Sequence, residues 1–301
     1  MELLLQRTAA KRITWLLGLA LVLFSFAWAQ NMAPMPTAAS VNAGMKPAVA
    51  LVARVTGNAT FTDYAKGEEG RIEPKMKFKQ GVTINTAADA TVVLLFSNGS
   101  TLTIQPSSTL SIEQYLQAPI PEGSPSLDAL EKEPSTSKTK LRLLEGDIIG
   151  SVKKLNTEEG SSYEVDSPIG TAGIRGTNFS FSTKVRGVAT PSGRFGISVG
   201  RGIFIPLANE QQVVDAMEQV SFTGTLNADG SVTITSFQTG AMSEAEALAI
   251  NVPARAAQAL LKGVDFSSFS DDGAQGGNTR RGPITPPPTQ PEVTPDQGVR
   301  D

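Results

Sequence analysis

Two residue types are missing altogether from this chain of 301 residues, which has no cysteine and no histidine. The first absence removes thiol nucleophiles and disulfide staples. The second removes imidazole general bases, and together they take away the commonest transition-metal ligands. An excess of basic residues is missing too. Lysine and arginine number 26 against 29 acids, a net charge of −3, so no global positive field gathers nucleic acid. What is present, 40% hydrophobic residues in a chain of this length, suffices to bury one principal core with smaller appendages.

The single long apolar run lies at the N-terminus. Arg7, Lys11 and Arg12 precede "ITWLLGLALVLFSF", and Ala27 and Ala29 place small residues at the −3 and −1 positions of a cleavage site. Residues 1–29 therefore read as a cleavable signal peptide. The competing reading is a retained membrane anchor, since Ile13 to Ala29 is barely long enough to cross a bilayer. Residues 30–47 read as a linker, and cleavage leaves no membrane span. The expected location is periplasmic or secreted.

From residue 48 the pattern is one of short β-branched runs broken by turn residues, with no helical period of useful length before residue 240. Residues 48–206 are expected to form a mainly β domain, an antiparallel sandwich or rolled sheet. In "VVLLFSNGSTLTI", Asn98 and Gly99 suit a type I′ turn pairing Val92–Phe96 with Thr101–Gln105. The runs flanking Gly200 predict a second hairpin, and "NADG" at Asn227–Gly230 a third. Residues 119–140, rich in Pro, Ser and charge, predict an exposed insertion loop. A β extension covers 207–240. Ser243 and Glu246 then open residues 241–269, read as two short helices divided at Pro253, and 270–301 read as a disordered Pro/Gly-rich tail.

The stretch "SPIGTAGIRGTNFSF", Ser167–Phe181, is the one that invites a chemical reading. A phosphate loop needs a helix after its glycines, and here an alternating strand follows. A catalytic Ser or Thr would need a base, and no histidine exists. The loop is therefore expected to be a glycine-enabled turn, with Gly173 and Gly176 relaxing the backbone and Arg175 satisfying carbonyls or a carboxylate. The acid pairs Glu68–Glu69, Glu158–Glu159 and Asp271–Asp272 read as solvated turn charges. Asp265–Gly273 fails the EF-hand spacing for calcium.

Three segments in order, "GVTINTAADATVVLLFSNGSTLTIQPSSTLSI", "LRLLEGDIIGSV" and "YEVDSPIGTAGIRGTNFSF", resemble the FecR domain family over Gly81–Phe181, with a core motif at 81–182. The resemblance assigns Asn98, Gly99, Gly146, Gly170, Arg175, Gly176 and Thr177 to its structural motif. FecR itself relays the state of an outer-membrane iron–siderophore receptor through a membrane helix to a cytoplasmic anti-sigma region. Only about a dozen residues precede the apolar run here, which leaves no expected room for that region.

Three function classes follow. The first is a non-enzymatic binding or scaffold module with a protein partner in the cell envelope, or a glycan, using sheet edges and the 119–140 loop. The second is a component of an iron-uptake-type signalling system working with a separate membrane partner. The third is a carboxylate-based hydrolase acting on glycans. The expectation is the first: no enzyme, no cofactor, no metal and no nucleic acid.

Overall fold

The computed structural model describes residues 44–206, 211–270 and 279–281. The expected signal peptide (residues 1–29), most of the expected linker and most of the expected tail lie outside the described residues. Strands β1 (Lys46–Pro47), β2 (Ala50–Thr56), β3 (Ala59–Asp63), β4 (Glu68–Arg71), β5 (Lys77–Phe78) and β6 (Val82–Thr86) come first. They are followed by β7 (Thr91–Phe96), β8 (Thr101–Ile104), β9 (Thr109–Gln117), β10 (Ser137–Ser151), β11 (Ser162–Ser167) and β12 (Gly170–Lys184). Next come β13 (Ser192–Pro206), β14 (Gln212–Asp215), β15 (Glu218–Leu226) and β16 (Val232–Ala241). Helix α1 (Glu244–Ala259) and β17 (Thr279–Arg281) complete the described chain.

The strands form one continuous rolled sheet folded into two layers. In the first, the order is β17, β4, β3, β6, β9, the first half of β10, β11, the first half of β12, the second half of β13, and β14. In the second it is β5, β2, β7, β8, the second half of β10, the second half of β12, the first half of β13, β15 and β16. The three strands shared between the layers are each 15 residues long. Each bends at a glycine of positive φ: Gly146 at 96°, Gly176 at 68° and Gly200 at 91°. These values lie where a Cβ is penalised, so glycine lets one strand serve both layers.

The apolar residues of alternate positions meet between the layers. Ile84, Leu110, Ile112, Leu141 and Val165 come from the first, and Val92, Leu94, Leu102, Ile148 and Phe181 from the second. Burial of each such side chain contributes roughly 1.5–3 kcal/mol. A smaller cluster lies on the outer face of the second layer, where Val49, Leu51, Val93 and Leu95 are covered by Leu127, Leu130, Ala257, Leu261 and Phe269.

The mainly β architecture agrees with the sequence, and five local expectations are corrected. The sheet is not wholly antiparallel. Residues 152–161 carry the chain over one edge and return it beside the first half of β10, so β11 pairs parallel to it. The runs flanking Gly200 are no hairpin but the single strand β13, which keeps pairing with β12 on both sides of the bend. The 119–140 segment is not uniformly exposed: Leu127, Leu130, Glu133 and Ser135 are buried, and β10 has begun by Ser137. The two expected helices are one, α1 running through Pro253, because Ala247, Ile250, Ala254 and Ala257 form a buried stripe on both sides of the proline. Part of the tail is a strand, since β17 pairs with β4.

Candidate functional site

Alternation along antiparallel strands decides what the second layer shows to the outside. Ile148, Phe181, Phe195 and Phe222 point into the core. Their neighbours point out, and the register aligns them in rows: Asp147 opposite Ser182, Ser182 opposite Arg194, and Arg194 opposite Ser221. A second row runs from Lys184 through Ser192 to Thr223. The first turns of α1 stand over one side of this face, held by Met242, Ala247 and Ile250 against Ile149. Between helix and sheet lies a groove of about 560 Å³ whose floor carries the hydroxyls of Ser180, Ser182, Ser192, Ser221 and Thr223.

Charge in the groove is mixed. Ser243 and Glu246 form a capping box at the start of α1, and Glu246 also accepts from Arg194 Nη1 and from Gln219 Nε2, both at 3.1 Å. The Ser243 backbone amide and hydroxyl, then Gln219, hold the Glu246 carboxyl down at about 2. Across the groove, burial raises the Asp147 carboxyl above its ordinary value, with Lys184 opposing the shift. The two carboxylates of the lining are thus unlike, and Glu246 is committed to its donors. A trench with donors and acceptors spaced along rows suits hydrogen bonding to an extended polar chain.

None of the structural-motif residues named from sequence lines this groove, although Glu246, read there as a helix cap, does. Asn98 and Gly99 do form the β7–β8 hairpin tip, with Val92 opposite Ile104 and Leu95 opposite Thr101. The turn is not type I′, because only Gly99 has positive φ. Asn98 Oδ1 instead accepts from the Ser100 amide at 3.0 Å, and the tip is buried. Asn98 Nδ2 donates to Ser137 Oγ at 3.0 Å, and Ser137 Oγ donates to Glu133 Oε2 at 2.6 Å. Glu133 Oε1 accepts from the Asn156 amide at 2.7 Å. Burial raises the Glu133 carboxyl above its ordinary value despite these donors. One carboxylate therefore ties the 119–136 segment to the hairpin tip and to the 152–161 crossover. The linkage is not legible in sequence, since it joins Glu133 through Ser137 to Asn98 and directly to Asn156, residues on separate segments.

The remaining motif residues are bends. A Cβ on Gly146 would lie 2.3 Å from Ser108 Oγ, and Ser108 Oγ accepts from the Asp147 amide at 2.9 Å. The expected turn within Ser167–Phe181 is confined to its start, where Ser167 Oγ donates to the Gly170 carbonyl at 2.8 Å. The rest is strand β12. Gly173 has no positive φ and only distant neighbours at its Cβ position, so it does not carry the role expected of it. Gly176 and Thr177 together oppose Gly200, a bulge between the pairs Arg175–Arg201 and Asn178–Val199. Arg175 is exposed rather than engaged with buried carbonyls, whereas Thr177 is buried. Of the acid pairs, Glu68 is buried in β4, contrary to a solvated turn, and Asp271–Asp272 lies outside the described residues. Asp265 caps a 3-10 turn, its carboxyl lowered by hydrogen bonds from Ser267 and Ser268. Among the described residues, no three acidic side chains gather to hold a metal ion.

Comparison with known proteins gives a family-model match over part of the chain. Residues 82–202 match the family model described as FecR protein. No curated protein matches. Two crystal structures of a provisionally assigned anti-sigma factor from Parabacteroides distasonis, at 2.50 and 1.65 Å, match with a TM-score of 0.36 and 10% sequence identity. The match covers 54% of this chain and 60% of theirs.

Proposed function

Taking residues 82–202 as a FecR domain, we propose that this chain is a non-enzymatic binding module of the cell envelope that takes up an extended segment of a protein partner in the groove of its second layer. The observation that carries this reading is the groove itself: register-aligned rows of serine, threonine and mixed charge beneath α1. Extended chains are held by repeated hydrogen bonds along a trench, and side-chain hydroxyls supply both donors and acceptors. Export through residues 1–29 belongs to the same proposal, supported by the basic–apolar–small pattern of that segment. The FecR match favours a second reading of the same surface, in which the partner belongs to a signalling system and the chain is one of its components.

The test is co-purification from envelope extract with the parent chain and with Ser182→Trp, which fills the middle of the first row. A partner retained by the parent and lost by the variant supports the groove; equal recovery from both refutes it. Altered transcription of envelope-stress or uptake genes on deletion of the chain would favour the signalling reading.

A further inference from the structure

The bend shared by β12 and β13 carries a second feature that the groove does not use. Arg175 and Arg201 are cross-strand partners, two arginines directly opposite each other in the register. Lys154 adjoins them, since a Cβ on Gly176 would lie 3.1 Å from Lys154 Cα. Lys132 in turn forms a parallel bridge with Lys154. Four segments far apart in sequence thus lay Lys132, Lys154, Arg175 and Arg201 side by side along one edge of the fold, and all four are exposed. Arg201 is paired with Asp215 at the end of the row. Lys132, Lys154 and Arg175 have no ion-pair partner among the described residues; of the two acids flanking Lys132, Glu131 is exposed and Glu133 is buried and bonded to Ser137 and Asn156.

Like charges directly opposite on neighbouring strands destabilise a sheet, and here they stand on a chain whose net charge is −3. Nothing in the packing requires them: Arg175 touches no buried acceptor, and the bend is made by Gly176 and Gly200. We infer that this edge is a docking site for an acidic, extended segment of a partner protein, whose carboxylates take the place of the missing counter-charges.

The spacing suits that occupant. Four rungs at about 4.8 Å span roughly 14 Å, and three same-face side chains of an extended segment, at i, i+2 and i+4, span about 13 Å. Arginine adds bidentate pairing to each carboxylate it meets. Single-stranded nucleic acid is less well matched, because it is held by base stacking on exposed aromatic rings, and among the described residues the exposed large hydrophobic side chains include none. A membrane surface calls for a broad apolar face beside the charges, whereas the exposed apolar side chains beyond Arg201 on β13 and β14 are the pair Ile205 and Val213.

The experiment uses the full chain and a fluorescein-labelled decapeptide of alternating Glu and Thr, with the Gln–Thr decapeptide as its neutral counterpart, followed by anisotropy. The acidic peptide is expected to bind and the neutral one not, with affinity falling as ionic strength rises. Lys154→Glu combined with Arg175→Glu should weaken binding at least about tenfold, while Ser182→Trp in the groove leaves it unchanged. Should the reversed pair fail to fold, Lys154→Gln with Arg175→Gln should still weaken binding. No binding by the parent, or equal binding by a folded double variant, overturns the inference. So does displacement of the peptide at lower concentration by oligo(dT) or by phosphatidylserine vesicles, which would name a different occupant.

Discussion

Gly176 and Gly200 lie against each other where β12 and β13 pass together from one layer to the other: a Cβ on Gly200 would stand 2.4 Å from the Gly176 carbonyl oxygen. Both have positive φ, so the two residues are constrained by backbone geometry and by each other. Gly200→Val should therefore destabilise the fold by at least roughly 1–3 kcal/mol of backbone strain, with the clash in addition. Gly173→Ala, three residues before Gly176 and free of both constraints, should shift stability little. Urea denaturation of the two variants beside the parent decides it; equal midpoints for Gly200→Val and the parent would show that the bend relaxes freely.

A second prediction follows from Glu133. Burial raises its folded-state carboxyl above the ordinary value of 4.5, so the folded protein holds a proton there that the unfolded chain releases first. The associated stability is fully present below 4.5 and is lost as pH rises through the raised value. The parent should thus lose stability across the window that begins near 4.5, and Glu133→Gln should flatten that loss. Asp147 shifts in the same direction and should leave a residual slope. Urea midpoints measured across this window would sink the assignment if the Gln variant kept the full slope of the parent.

Leu127 is wholly buried within the segment that sequence reads as an exposed insertion. Leu127→Ala should cost about 2–5 kcal/mol, the range for a leucine removed from a packed cluster. A melting temperature equal to the parent's would return the segment to the status of a loose loop.

Pro253 sits inside α1 without an amide to offer the carbonyl one turn earlier, that of Ala249. Replacement by Ala should stabilise the helix, by an amount up to roughly 3 kcal/mol. Circular dichroism and a thermal melt report it. A lower melting temperature would mean that the proline ring itself packs usefully.

The sequence by itself determined the class of the fold and the chemistry it lacks. Missing cysteine and histidine are properties of composition, and β-branched alternation broken at Asn98–Gly99 and Asn227–Gly230 is local information, which the backbone obeys wherever strand and turn propensities agree. The same local pattern could show that Gly176 and Gly200 mark breaks in alternation, but not whether the chain reverses or bends there. That choice depends on which strand continues the pairing on each side, and β12 and β13 settle it together. Tertiary structure alone decided the rest. The groove exists because Asp147, Ser182, Arg194 and Ser221 come into one row through the register of four strands. Glu133 finds its donors on Ser137, itself bonded to the hairpin tip, and on the 152–161 crossover, and Lys132, Lys154, Arg175 and Arg201 become neighbours only when the rolled sheet stacks their segments at one edge. Side-chain chemistry is written residue by residue, whereas proximity between strands is a property of the closed fold.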